Sequence, residues 1–527
     1  MIMTFSFLPL LAPIFLALAA CWALKSPGQR PGAYPKLAEA AAVLAFVVSA
    51  ASALALIFQG PVTSPLIGIE GIGLSARLDA VSVIMLMLVS FIGWVVLRYS
   101  ATAMDGEERQ GAFTGWLCAT LAAVLLLVQS GNVAQLALAW IATGLGLHRL
   151  LLHYPNRVTA QRAARKKAVT SRVADLSLIG AAVLLYIAAG TTDIATILTI
   201  AETSPLFYGA AGLIALSAVL QSAQFPSHGW LTEVMEAPTP VSALLHAGVV
   251  NAGGFLLIRF ADVMLTAPGI MALLVMLGGF TALFGGLVML TQPSVKTSLA
   301  WSTIAQMGFM VLQCGLALFP LALLHIVAHS LYKAHAFLAS ATAVDVVTSV
   351  RKPGPVAVPS AGAVARAFLA ALAIYAVVGF AFGLVEKSPQ AVALGAILIF
   401  GVAYLIAQGL ADAAPRVLTQ RTAIYALAAS ISYFVLQAGA EALTAGTLPA
   451  TPGPGPLEWA LIVLALISFG AVAIAQATFP LWAGHPAAAG LRVHLNNGLY
   501  ANAIFDRVLG GWSRPASPTS QRVSTGG

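Results

Sequence analysis

Apolar runs of about twenty residues alternate with short polar segments along almost the whole chain. A run of that length crosses the ~30 Å hydrocarbon core of a bilayer as an α-helix, since each residue rises ~1.5 Å. The pattern therefore predicts an all-α polytopic membrane protein with about 14–15 transmembrane helices. The predicted spans are 5–24, 36–58, 78–98, 111–129, 132–150, 172–189, 206–235, 240–262, 269–290, 298–317, 321–344, 361–384, 389–410, 421–443 and 456–482.

The composition excludes a soluble protein. Of 527 residues, 60% are hydrophobic and 8% are charged, whereas soluble domains carry about 25% charged residues. The three cysteines, Cys21, Cys118 and Cys314, are far apart and form no CxxC pair. Disulfide frameworks, iron–sulfur clusters and zinc ribbons are therefore not predicted, and no soluble catalytic domain fits in the chain.

The loop charges predict the topology. Basic residues follow odd-numbered spans, with Arg77 and Lys387 as the exceptions, so the N-terminus is expected outside and the C-terminus inside. This distribution explains the net charge of +8 without nucleic acid. The polar tail 485–527 is expected to be partly disordered, with one surface helix that places apolar residues from Val493 to Leu509 on one face. The basic loop residues include Lys25, Arg30, Lys36, Arg149, Arg157, Arg172, Lys296, Arg351, Lys352, Arg416 and Arg421.

Span 321–344 carries His325, His329 and Lys333 at spacing i, i+4 and i+8. At ~100° per residue these groups form one titratable stripe along a helix. The stripe predicts a proton or cation relay, and the alternative is a set of polar contacts that hold helices together. The His-x-x-x-His spacing lacks an acidic residue and a third ligand, so no metal site is expected.

Span 206–235 is interrupted at Phe225-Pro226, shortly after Gln221 and Gln224. Proline removes a backbone donor, and two half-helices meeting inside a membrane expose polar groups where they line a cavity. Gln221 and the following His246 are therefore candidate pathway residues. The alternative is a kink packed by neighbouring helices.

Three further charged residues are pathway candidates. Arg172 and Asp175 are spaced i, i+3 and can form an ion pair near the interface, with a structural or a pathway role. Lys296 either extends to the inner surface or reaches inward as a relay member.

The segment after the fifth span is strongly basic and contains Arg162, Arg165, Lys166 and Lys167. These four residues are candidates for docking a partner on the inner face. The alternative is a topology signal in contact with anionic lipid.

Four segments resemble the antiporter-like subunits of complex I, including chain 5, and the Mrp antiporters. The most diagnostic is Phe225–His246 (FPSHGWLTEVMEAPTPVSALLH). Lys296–Gly308 resembles the entry to the family's helix 10, and His325–Lys333 resembles its helix 11. Leu495–Tyr500 with Phe505-Asp-Arg507 resembles the tail of chain 5 proteins. The resemblance runs from about Arg77 to Ala343.

The resemblance implies two inverted five-helix repeats with broken helices, at 111–264 and 265–412. Helices in 1–110 precede them, and helices in 413–484 and the tail 485–527 follow. By resemblance, the family's pathway residues are matched by His246, Lys296, His325, His329 and Lys333. Its glutamate is replaced by Ile141 and its lysine by Gln221, and its helix 12 lysine has no secure match.

The basic segment and the pattern around His335 are similar to the membrane subunits of the DAB inorganic carbon transporters. That resemblance implies a non-enzymatic subunit of a bacterial inner-membrane complex. It would conduct protons or another cation to drive a DabA-like partner, a zinc protein resembling carbonic anhydrase. Zinc then belongs to the partner, and no cofactor is expected in this chain.

Two other functions stay open. One is a proton-pumping or antiporter subunit of a complex I, hydrogenase or Mrp-type complex, which the replacements at Ile141 and Gln221 disfavour. The other is a membrane scaffold that recruits a partner and conducts nothing.

Overall fold

The structure is a computed structural model that describes residues 5–340, 360–409 and 416–508. These residues are mainly helical. The helices are α1 Leu11–Lys25, α2 Tyr34–Gln59, α3 Ala80–Ala103, α4 Gln110–Val128, α5 Val133–Leu151, α6 Val158–Ala189, α7 Ile194–Thr199, α8 Pro205–Gln221, α9 Gly229–Glu233, α10 Thr239–Ala247, α11 Ala252–Arg259, α12 Ala261–Leu265, α13 Pro268–Met289, α14 Val295–Gly315, α15 Phe319–Ala339, α16 Ala361–Ala381, α17 Pro389–Gly409, α18 Arg416–Thr444, α19 Pro456–Ala477, α20 Phe479–Trp482, α21 Pro486–Asn496 and α22 Ala501–Val508.

Short elements connect the helices. Four strands, β1 Val62–Thr63, β2 Ile67–Ile69, β3 Ile72–Leu74 and β4 Arg77–Leu78, pair antiparallel as β1–β4 and β2–β3. Short 3-10 helices occupy Leu8–Leu10, Val234–Glu236, Val249–Asn251, Leu384–Glu386 and Gly498–Tyr500.

Every predicted span contains a helix, which confirms the all-α polytopic class. Within the described ranges, eleven helices are long and apolar enough to cross a membrane. Helix α8 and the segment Pro389–Gly401 of α17 are shorter apolar helices. Helices α5 and α14 correspond to the remaining two predicted spans and are more polar. The chain is therefore a multi-pass membrane protein.

The loops form two groups, and loops within a group contact one another. The loops after the second, fourth and sixth spans meet through the bridges Ala76–Ser130 and Asn132–Asp193. The loops after the first and third spans meet where the amide of Gly111 donates to Gly28, at 3.1 Å. These contacts fit a chain that changes sides at each span. Which side faces the cytoplasm stays a prediction, and Arg351 and Lys352 lie outside the described residues.

The start of α3 explains why Arg77 departs from the charge rule. Asp79 caps the helix by accepting from the Ser82 amide at 2.8 Å, and it also accepts from Arg77 and Arg259 at 2.6 Å each. Burial raises the pKa of Asp79, but Arg259, assisted by Arg77, outweighs burial and holds the pKa well below its usual value. Arg77 is thus neutralised in a buried ion cluster.

Two helix breaks lie side by side in the bundle. Helix α8 ends before Pro226, and α10 is separated from α11 by Gly248 and a 3-10 turn. The end of α8 and the start of α11 are in close contact, because a Cβ at Gly253 would lie 2.3 Å from Ser222 Oγ and 2.4 Å from the Ala218 carbonyl oxygen. Glycine at 253 therefore allows backbone carbonyls freed at one break to meet polar side chains at the other.

The described part of the tail is helical. The expected single surface helix is two helices, and the expectation of partial disorder in the tail stays a prediction. Helices α21 and α22 are separated by a turn in which Leu499 and Tyr500 have φ of 51° and 58°. Leu509 lies outside the described residues.

Candidate ion pathway

The predicted titratable stripe lies on α15, which is continuous through all three residues. His325 Nδ1 donates to Gln313 Oε1 of α14 at 2.8 Å, and the rings of His325 and His329 are 6.0 Å apart. His329 Nε2 donates to the backbone carbonyl of His246 at 3.2 Å. Lys333 is fully buried. The stripe therefore faces α10 and α14 inside the bundle, while His335 points to the exposed face.

His246 of α10 joins this stripe through a connected set of hydrogen bonds. Its Nδ1 lies 3.1 Å from Thr303 Oγ1, and Thr303 donates to the Leu299 carbonyl at 3.0 Å. Lys333 Nζ donates to the same carbonyl at 3.0 Å. We call His246, Thr303, the Leu299 carbonyl and Lys333 the His246 network.

The hydrogen bonds of the network determine which nitrogen of the neutral His246 ring carries the proton. Because the Thr303 hydroxyl donates to Leu299, it accepts from His246 Nδ1–H, so the neutral ring carries its lone pair on Nε2. That Nε2 is buried and has no hydrogen-bond partner among the described residues. Phe337 stacks on the ring, with centroids 4.3 Å apart. His246 is therefore held in one orientation with a free acceptor that can take a proton.

The two helix breaks provide further polar groups. Gln221 Nε2 approaches the Val249 carbonyl at 3.5 Å, and Ser222 Oγ donates to the Val250 carbonyl at 3.2 Å. Asn251 donates to Ser330 Oγ of α15 at 2.8 Å. The breaks thus connect α8 to the helix that carries the titratable stripe, as expected for half-helices whose carbonyls line a pathway.

The other face of Gln221 contacts α6. Lys167 Nζ donates to Gln221 Oε1 and to Ser171 Oγ, both at 2.7 Å, and lies 4.4 Å from the centroid of the Trp230 ring. We call Lys167, Ser171, Gln221 and Trp230 the Lys167 cluster. Asp175 is two turns further along α6, is buried, and pairs with half-exposed Arg172 at 2.9 Å.

Lys296 is not part of these contacts. It lies half-buried in the first turn of α14 and forms no hydrogen bond or ion pair with any residue in the described ranges. Its pathway role stays a prediction.

The predicted docking residues contact other parts of the chain. Lys166 is 2% exposed; it contacts Glu233 of α9 and Asp506 of α22, and donates to Asn502 at 2.8 Å. Arg162 is half-exposed and pairs with the same two carboxylates. We call Arg162, Lys166, Glu233, Asn502 and Asp506 the tail clamp.

Lys167 is also 2% exposed, so Lys166 and Lys167 are not available at the surface of this structure. Arg165 is exposed. Partner docking at Arg162 and Arg165 stays a prediction.

Sequence reasoning missed several members of this site. Thr303, Asn251 and Ser330 are neutral polar residues of the kind that hydrogen-bond between transmembrane helices, so their types alone did not mark a pathway. Lys167 had one signal, since Lys167, Ser171 and Asp175 are spaced i, i+4 and i+8 and share one face of a helix. Within the described part of the chain, no group of three or more His, Cys, Asp or Glu could hold a metal ion.

Comparison with known proteins agrees with the helical fold. Residues 130–352 match the family described as NADH:quinone oxidoreductase/Mrp antiporter, TM, and residues 68–114 match the N-terminus of complex I chain 5. Among solved structures, the Mrp complex of Dietzia sp. DQ12-45-1b contains a chain with a TM-score of 0.59 at 24% identity, over 96% of this chain and 60% of that chain. Respiratory complex I from Thermus thermophilus gives 0.54 at 16% identity, over 95% and 100%.

These similarities define an antiporter-like membrane subunit of the complex I and Mrp class. The "Probable inorganic carbon transporter subunit DabB2" of Halothiobacillus neapolitanus is 40% identical over 84% of this chain and 81% of its own length. The "Probable inorganic carbon transporter subunit DabB" of Hydrogenovibrio crunogenus is 47% identical over 50% of this chain and 52% of its own length. The chain belongs to the DabB family.

Proposed function

We propose that this chain is the membrane subunit of an energy-coupled inorganic carbon uptake pump in a bacterial inner membrane. Its role is to conduct protons or another cation down their gradient and thereby drive a DabA-like, zinc-containing partner resembling carbonic anhydrase. Membership of the DabB family supports the substrate class. The termini are assigned outside for the N-terminus and inside for the C-terminus, from the loop charges.

The observation that carries the conducting role is the His246 network. Three helices contribute to it, and it joins two titratable groups, His246 and Lys333, through a hydroxyl and a carbonyl. Ionisable groups are costly inside a membrane and typically mark ion or proton pathways. His329 and His325 extend the same line along α15.

The proposal can be tested in a bacterial strain that needs added CO2 for growth. This strain is made to express the chain together with the products of its neighbouring genes. We expect growth in air and uptake of radiolabelled inorganic carbon that stops when a protonophore or a sodium ionophore collapses the driving gradient. The ionophore that acts identifies the cation.

The composition of the purified complex is the second arm of the test. A tagged chain should retain one large zinc-containing subunit. Recovery of quinone-reductase, hydrogenase or Mrp-type subunits, together with no carbon uptake, would contradict the proposal and favour the antiporter alternative.

A further inference from the structure

In the ion pairs described above, a basic side chain contacts a carboxylate. The buried side chain of Lys167 contacts neutral groups instead. It is 2% exposed, and its ammonium contacts a glutamine oxygen, a serine hydroxyl and the face of an indole. Within the described residues it forms no ion pair, and the two charged groups of α6 that act on it from a distance, Asp175 and Arg172, pair with each other at 2.9 Å. A buried ammonium is costly to desolvate, and neutral acceptors compensate only part of that cost.

The neighbouring residue provides an internal comparison. Lys166 is buried to the same extent on the same helix, but its ammonium contacts the carboxylates of Glu233 and Asp506. Its charge is matched, as in a structural ion pair. Because consecutive helical residues differ by ~100° in direction, Lys167 faces the broken helix instead of the tail.

Lys167 lies close to the helix break that follows His246. Gln221 holds Lys167 through its oxygen and approaches the Val249 carbonyl through its nitrogen. Val249 follows His246 in the break between α10 and α11, where Asn251 contacts Ser330 of α15. Polar groups therefore occur at intervals from α6, across both helix breaks, to α15, the helix that carries the titratable stripe.

We propose that Lys167 is a proton-carrying member of the cation pathway and supplies the exchangeable cation at the break after α8, where Gln221 has no charge to offer. This inference rests on the proposed function. The step is a proton transfer: the ammonium releases one proton to the pathway and the neutral amine later takes one up. Gln221 and Ser171 remain uncharged throughout and hold the nitrogen in place in either state.

Three substitutions test this role in the assembled complex, with labelled carbon uptake measured per amount of complex. Lys167→Gln removes the exchangeable proton and should lower uptake at least about tenfold. Lys167→Arg keeps the charge but cannot lose its proton, so uptake should also fall. The double variant Lys167→Gln/Gln221→Lys returns an ammonium to the same 2.7 Å contact from the opposite helix, and it should recover most of the lost uptake.

The control is Lys36→Gln, which removes an exposed lysine on the same predicted side and should leave uptake unchanged. The role is overturned if Lys167→Arg transports as well as the unmodified complex, or if the double variant is no better than Lys167→Gln. Loss of the assembled complex in Lys167→Gln would equally overturn it, because the lysine would then be structural.

A failure of the proposed function can be distinguished from a failure of the role proposed for Lys167. If the unmodified complex takes up no inorganic carbon, proton flux into vesicles containing the purified complex replaces carbon uptake as the measurement. Reduced flux in Lys167→Gln, with recovery in the double variant, supports the pathway role even then, and unchanged flux overturns it.

Discussion

The molecule holds charged side chains in two different ways. At the start of α3, Asp79 is matched by Arg77 and Arg259, each at 2.6 Å. In the His246 network, the ammonium of Lys333 contacts a neutral carbonyl at 3.0 Å. Loss of one charge from the first arrangement leaves its partner charged and buried, which is strongly unfavourable. Lys333 can lose a proton without leaving a buried anion, so the first arrangement stabilises the fold and the second can exchange protons.

The same contrast occurs between adjacent residues of α6. Lys166 joins the tail clamp through two carboxylates, whereas Lys167 contacts neutral groups at the helix break. Carboxylate pairing thus distinguishes an anchoring lysine from a candidate for conduction. The comparison predicts that substitutions in the carboxylate-paired arrangements change stability. Substitutions of the buried lysines that contact neutral groups should change transport.

The largest expected effect is on stability, from Asp79→Asn. Removing one partner of a buried ion pair costs about 3–5 kcal/mol, because Arg259 keeps an uncompensated buried charge. A thermal shift of the detergent-solubilised complex should show this loss. The control is Glu39→Gln, which weakens a partly exposed pair with Arg98 at 3.9 Å and should cost less than about 1 kcal/mol. Equal shifts for the two variants would remove the basis of the comparison.

The pH dependence at Asp79 has a definite sign. The pKa of Asp79 is lowered in the folded protein by Arg259 and Arg77 despite burial, which raises it. Its contribution to stability is therefore present above the ordinary carboxyl pKa and is lost as pH falls towards the folded value. Thermal scans from neutral to acidic pH should show a smaller loss of stability in Asp79→Asn than in the unmodified chain.

The second effect is on transport, from Lys333→Met. This change keeps much of the side-chain volume but removes the proton and the donor to Leu299, so uptake should fall by at least about 100-fold. The complex should still assemble, because Lys333 forms no ion pair with any described residue. Retained uptake, measured per amount of purified complex, would show that the His246 network is structural and would favour a scaffold.

A smaller loss is expected for Thr303→Val. Without the hydroxyl, His246 Nδ1 loses its acceptor at 3.1 Å, and the ring is no longer restricted to one orientation and tautomer. An unsatisfied buried donor costs about 1–3 kcal/mol, so uptake should drop about tenfold. Thr303→Ser keeps the hydroxyl and should transport normally. A rate for Thr303→Val equal to that for Thr303→Ser would argue that the hydroxyl does not position His246.

The smallest effect is expected for Asp506→Asn in the tail clamp. The carboxylate is partly exposed, and such ion pairs contribute about 0–1 kcal/mol. Helix α22 should become more accessible to limited proteolysis, with little change in uptake. A loss of transport as large as that in Lys167→Gln would mean that the clamp acts on the pathway.

Much of the fold could be predicted, because bilayer thickness sets helix length and proline breaks a helix locally. Pro226 within the run 206–235 predicted the break in that span. The i, i+4, i+8 spacing of His325, His329 and Lys333 placed these residues on one helix face. The tail was predicted less well. Its apolar pattern indicated one surface helix, but residues 486–508 contain two helices, and Asn502 and Asp506 of the second contact α6 and α9, which are more than 260 residues away in the chain.

The sequence by itself determined the apolar spans, the family motifs and which helix carries the titratable groups, because these depend on local periodicity and residue type. Only the tertiary structure decided what each polar group contacts. Lys166 and Lys167 are identical and adjacent, and the helical spacing that puts Lys167 on one face with Ser171 and Asp175 does not say which other helices either lysine contacts. The ~100° rotation between them directs one to carboxylates and the other to the helix break, and the packing of α8, α9 and α22 around α6 determines what each lysine contacts.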